Sequence, residues 1–135
     1  MDYQKLKIKS YDSWDVFLHA NQRYLGRLYL SAKRQDALDL MQMNSDEQEE
    51  LFVAGRKARQ ALKELFSPNH MNYASFGNEY RHLHIHFIPR YASPRVFDGV
   101  EFVDGSWGRN YKPYADFFVP QRTLFKIRDS IKERI

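Results

Sequence analysis

A chain of 135 residues, 43% of them hydrophobic and 16% aromatic, has the composition of one ordered α and β domain over residues 1–135 with a single sizeable core. Disordered, collagen-like and multidomain architectures are excluded on these grounds. The absence of cysteine rules out disulfides and thiol catalysis and suits a cytoplasmic protein, while a net charge of +4 favours anionic ligands but is too small and dispersed for a nucleic-acid face.

In chain order, the first nine residues carry charge where a signal peptide needs an apolar stretch, and no apolar run is long enough to cross a membrane. From Trp14 to Ser31, strand-forming residues interrupted by Ala20, Asn21, Gln22 and Arg23 predict a hairpin. Leu51, Ala54, Ala58, Ala61, Leu62 and Leu65 recur at steps of three and four, which predicts a helix over 45–66. Ser45 and Gln48 form its expected capping box, and Asp46, Glu47, Glu49 and Glu50 lie near the positive end of the helix dipole. Pro68 and Asn69 end that helix, and strands are expected over 71–76 and 81–88, with a turn at Gly77 and Asn78. Gly99, Gly105, Gly108 and Pro113 predict an irregular stretch, followed by a closing helix over 120–132 that buries Leu124, Ile127 and Ile131.

The chemistry concentrates in His82, Leu83, His84, Ile85 and His86. Side chains alternate along a strand, so the three imidazoles are expected on one face, about 7 Å apart from one to the next, with Leu83, Ile85 and Phe87 on the other. An imidazole titrates near 6.5, so neutral and protonated rings coexist at neutral pH. One ring can then attack phosphorus while another donates a proton or stabilises charge.

The run Asn72, Gly77, Asn78, Glu79, His82, Leu83, His84, Ile85, His86, Phe87, Ile88, Pro89, Arg90 and Tyr91 resembles the signature of the histidine triad family. The segment from Leu18 to Arg34 resembles that family's first hairpin, so the likeness covers roughly 14–91. It implies an α+β fold, an antiparallel sheet with one long central helix and a C-terminal helix. It further implies a hydrolase acting on dinucleoside polyphosphates, nucleoside phosphoramidates or related nucleotides through a nucleotidyl-histidine; a nucleotidyltransferase and a non-catalytic nucleotide sensor are the alternatives. In that reading His84 is the nucleophile, His86 contacts the phosphate and assists the leaving group, and His82 lies beneath and orients the nucleophile. Asn72 and Asn78 are candidates to bind phosphate or brace the site, His19 falls where the family places a nucleotide-contacting residue, and Glu79 completes the substrate-binding candidates. The family likeness also implies a homodimer and no cofactor on the protein, any magnesium arriving with the substrate, while the apolar runs and the charge lead to no membrane or nucleic-acid partner being expected.

Three residues depart from the pattern. Glu79 stands where several branches carry a Ser or Thr that donates to phosphate, Arg27 follows Gly26 where a histidine is common, and Gln35 follows Arg34 where another is common. These changes bear on the leaving group and substrate range more than on reaction type. Two other readings stay open: alternating histidines can ligate a metal, for which His70 and Glu79 are the only nearby additional donors, or can be structural. Trp107, Arg109 and Tyr111, set among glycines, could cover a base or pin a loop to the surface.

Overall fold

The computed structural model describes residues 2–135. A five-stranded antiparallel sheet has the spatial order β1, β2, β3, β5, β4, formed by Lys7–Ser10, Trp14–Leu18, Leu28–Ala32, His70–Ala74 (β4) and His84–Arg90 (β5). The helix α1, Ser45–Phe66, lies across one face. Its buried positions Ala54, Gly55, Ala58, Ala61 and Leu62 are mostly small, which lets helix and sheet approach closely. A Cβ on Gly55 would sit 3.1 Å from the Phe87 ring. Val16, Leu18, Leu28, Leu30, Ile85 and Phe87 face α1 from the sheet and complete the core. The closing helix α2, Gln121–Lys132, packs against β1 and α1 through Leu124, Ile127 and Ile131. The α+β fold with one long and one C-terminal helix is thus as the sequence implied.

Several local expectations are revised. Helix α1 is capped by Asn44, not Ser45: the Asn44 side chain accepts from the Glu47 amide at 2.9 Å, and Glu47 accepts from the Asn44 amide at 2.8 Å. Glu47, and not Gln48, fills the box because Arg34 donates two hydrogen bonds to its buried carboxylate. The irregular stretch contains a hairpin of β6, Arg95–Phe97, and β7, Val100–Phe102, whose turn is Asp98 and Gly99 at φ +52° and +73°. Asp-Gly is the pair that such a tight turn requires. The histidine strand begins two residues after His82, because His82 and Leu83 are held as an extended crossing by bonds to the end of β3 and to Ala37.

The turn entering β3 fixes the site side of the sheet. Gly26 adopts φ +87°, and a Cβ there would lie 2.7 Å from Leu62 of α1. Its amide is held by the Gln22 side chain at 2.7 Å, and the Arg27 amide closes the turn onto the Tyr24 carbonyl at 2.9 Å. Glycine is needed at this position for both conformation and space.

Candidate active site

Strand β5 pairs with β3 so that His84 faces Ser31 and His86 faces Tyr29, and with β4 so that His86 faces Ala74. The side chains around the histidines on the sheet face away from α1 therefore include Arg27, Tyr29 and Ser31 on β3 and its leading turn, His84 and His86 on β5, and Asn72 and Ala74 on β4. The His84 and His86 rings lie 4.9 Å apart between centroids, nearly perpendicular. Tyr29, stacked on Phe17 at 5.4 Å, backs both of them.

The triad is two rings on a platform and one beneath. His82 does not share the open face: it precedes the strand, is buried, and its Nε2 donates to the Ala32 carbonyl. Its backbone carbonyl accepts from His84 Nδ1 at 2.7 Å. A carbonyl can only accept, so Nδ1 carries a hydrogen, and in the neutral ring this selects the tautomer whose Nε2 has the free lone pair. His84 itself is half-buried. Its ring is flanked by Tyr80 at 5.8 Å, and Tyr80 also lies over His82.

His86 has a different environment. Its Nδ1 lies 3.5 Å from Nη2 of Arg27, and a guanidinium can only donate, so His86 carries its hydrogen on Nε2. Burial, then the Arg27 charge, then His84 and His19, push its pKa down to about 3. His19, 5.7 Å from His86 between ring centroids, is likewise pushed to about 3 by burial and Arg27, and its Nδ1 accepts from the Asn21 amide at 3.0 Å. Both rings are neutral at physiological pH.

Asn72 is on the same face, but its Oδ1 is taken by Arg90 Nη1 at 2.8 Å. Arg90 is buried and completes its valences with Asp104 at 2.8 and 3.2 Å and with the carbonyls of Ser106 and Arg109. This cluster ties the segment 104–109 to the end of β5. A groove lined by Asn72, Ala74, Phe76, Asn110, Tyr111 and Pro113 runs beside it.

Asn78 and Glu79 lie on the exposed crossing between β4 and β5, away from the rings' immediate contacts. Glu79 accepts from the Tyr114 hydroxyl at 2.8 Å. Of the aromatic segment, Tyr111 reaches the site by covering Arg27 at 5.5 Å, while Trp107 is exposed. No group of three His, Asp or Glu side chains among the described residues is arranged to hold a metal. Nor, among them, is any helix long and apolar enough to cross a membrane.

Sequence reasoning did not single out Tyr29 and Tyr80, and it treated Arg27 only as a departure from the pattern. The signal for Tyr29 was available. Alternation from Gly26 places 27, 29 and 31 on one face of β3, the face that the histidines of a neighbouring strand would share. Tyr80 gave no such signal, because it sits on an irregular crossing.

The same architecture occurs in solved histidine triad proteins. One from Sinorhizobium meliloti is 19% identical with a TM-score of 0.80, the alignment covering 96% of this chain and 89% of that one. One from Bradyrhizobium japonicum is 20% identical with a TM-score of 0.74 at the same coverages. A protein from Sulfolobus tokodaii, described as a hypothetical histidine triad nucleotide-binding protein, is 15% identical with a TM-score of 0.72 over 96% of this chain and 82% of that one. No curated protein matches the sequence. The HIT domain family model, however, matches residues 5–93, a span that takes in every strand of the five-stranded sheet, and the chain therefore belongs to the histidine triad (HIT) family.

Proposed function

We propose that the protein hydrolyses nucleotide conjugates through a nucleotidyl-histidine on His84. The observation that carries this reading is the bond from His84 Nδ1 to the His82 carbonyl, which in the neutral ring makes Nε2 the nitrogen with the free lone pair, on a half-buried ring. The likeness to a protein described as nucleotide-binding agrees with it. In the first step the Nε2 lone pair forms an N–P bond to the α-phosphate as the bond to the leaving group breaks with its electron pair. The positive charge that develops on the imidazole is stabilised by the His82 carbonyl dipole. Water then attacks phosphorus, the N–P pair returns to Nε2, and the water's proton passes to solvent with the nucleoside monophosphate. Nε2–H of His86, aimed from the neighbouring ring, donates to the phosphate oxygens.

His82 acts in this scheme as a positioning residue. Asn72 serves as a brace, since Arg90 occupies its oxygen, and His19 walls the side of His86. Asn78 and Glu79 bound the entrance, with Glu79 turned to Tyr114 and so away from phosphate. A homodimer would form along β4, whose outer edge is unpaired among the described residues and whose Tyr73 is exposed.

The test is turnover of dinucleoside polyphosphates and nucleoside phosphoramidates by wild type and His84→Ala, with and without a chelator, alongside intact mass of acid-quenched protein. Loss of the nucleophile should cost roughly a thousandfold in rate, about 4 kcal/mol, and abolish a nucleotidyl adduct. Equal rates would remove His84 from the chemistry, and chelator-sensitive rates would restore the metal reading. Nucleotide binding without turnover would make the protein a sensor.

A further inference from the structure

Two arginines are buried on the site side of the sheet, and they are partnered in opposite ways. Arg90 meets a carboxylate, an amide oxygen and two carbonyls. Arg27, 4% exposed, has a single polar contact, His86 Nδ1, and its Nε and Nη1 have no hydrogen-bond partner among the described residues. Its remaining neighbour is the face of Tyr111. An arginine cannot shed its proton in a protein, so this is a fixed positive charge with no counterion, set against the ring beside the nucleophile.

We propose that Arg27 sets the substrate class of the site by keeping His86 an uncharged Nε2–H donor, which suits phosphoanhydrides, whose leaving group departs as an oxyanion, over phosphoramidates, whose leaving group is an amine. This deepens the proposed function and rests on it. The geometry requires Nη2 to donate and Nδ1 to accept, which is incompatible with a doubly protonated ring. No carboxylate among the described residues pairs with the cation. The groups acting on His86 are Arg27 from the β3 turn, His84 on its own strand and His19 at the end of β2; Tyr29 packs on the ring, and β4 presents Ala74. None of these is a carboxylate. Burial first, and the Arg27 charge after it, lower the His86 pKa in the direction this arrangement requires.

The leaving groups then separate by their own acidity. When His84 Nε2 attacks an anhydride, the P–O bond breaks with its electron pair on the departing phosphate. A phosphate titrates near 6, so that oxyanion is stable at neutral pH, and both the Nε2–H donor and the Arg27 charge favour it. When the bond broken is P–N, the nitrogen must take a proton as it leaves, because the electron pair would otherwise depart on an amide anion, a far stronger base than hydroxide. A protonated imidazole could supply that proton. A neutral one held so by a guanidinium cannot.

The experiment combines histidine-selective NMR titration of the full-length protein with kcat/KM for diadenosine triphosphate and adenosine phosphoramidate, in wild type, Arg27→Gln and Arg27→Lys. Expected are a wild-type His86 midpoint below about pH 5, and a preference for the anhydride of at least about a hundredfold. Arg27→Gln should raise the midpoint by more than one pH unit and narrow the preference at least tenfold, and Arg27→Lys should restore both. A wild-type midpoint between 6 and 7, a preference for the phosphoramidate, or a preference unmoved in Arg27→Gln would overturn the proposal. The wild-type measurements decide even if Arg27→Gln does not fold. If wild type turns over neither substrate, the proposed function fails and the assigned substrate class with it, while the titration separately decides whether Arg27 keeps His86 neutral.

Discussion

Lowering the pH from about 7.5 to 5 should destabilise the protein by about 2–4 kcal/mol through His19 and His86 alone. Both rings are pushed to a pKa of about 3, by burial first and Arg27 second, whereas in the unfolded chain each titrates near 6.5. The unfolded chain therefore takes up protons that the folded one refuses. The stabilisation is complete above about pH 6.5 and is lost as pH falls from there toward 3. At pH 5 the unfolded histidine lies about 1.5 units inside that window, and at about 1.4 kcal/mol per unit each ring accounts for about 2 kcal/mol. Residual water access to two half-buried rings sets the lower end of the range. Asp98 and Asp104, whose carboxyls are held below the usual range, lose their stabilisation mainly below about pH 4, so they do not imitate this effect. Urea unfolding followed by the fluorescence of the buried Trp14 measures it, with a His19→Asn, His86→Asn double variant as the comparison. A wild-type stability flat across this window, or an equal loss in the double variant, would refute the assignment of neutral rings.

Gly26→Ala should cost about 2–5 kcal/mol, combining a left-handed backbone with a Cβ 2.7 Å from Leu62, whereas Gly99→Ala, with open space around it, should cost only about 1 kcal/mol; chemical denaturation of the two separates crowding from conformation. Arg90→Met leaves Asp104 buried without its guanidinium and should lose about 3–5 kcal/mol, measured as a lower unfolding midpoint. His82→Ala should lower kcat at least about tenfold with little change in nucleotide affinity, because the bond it removes holds the crossing that orients His84. Calorimetric nucleotide titration beside turnover shows the split, and an unchanged kcat would deny His82 its positioning role.

The long helix was legible because Ala54, Ala58, Ala61 and Leu62 keep one stripe over 22 residues, more than any competing pattern could imitate. The strand over 84–90 was legible for the same kind of reason. Its start was not, because His82 and Leu83 continue the alternation while their hydrogen bonds go to Ala32 and Ala37 rather than along a ladder. Strand β1 escaped notice because its four residues bury only Ile8. The cap shifted by one residue through a tertiary partner, Arg34, which no local rule contains. In the site, strand alternation placed His84 and His86 on one face, where their rings lie 4.9 Å apart, but the contact between Arg27 and His86 joins residues 59 positions apart. Only the β3 to β5 register reveals it.

The peptide carbonyl that holds His84 is common to all amino acids, so no change of side chain at position 82 can delete that acceptor. What can be lost is its location. The His82 side chain serves only as a tether to the neighbouring strand, and another residue with a donor of similar reach could fasten the crossing there while the reactive ring stayed aligned.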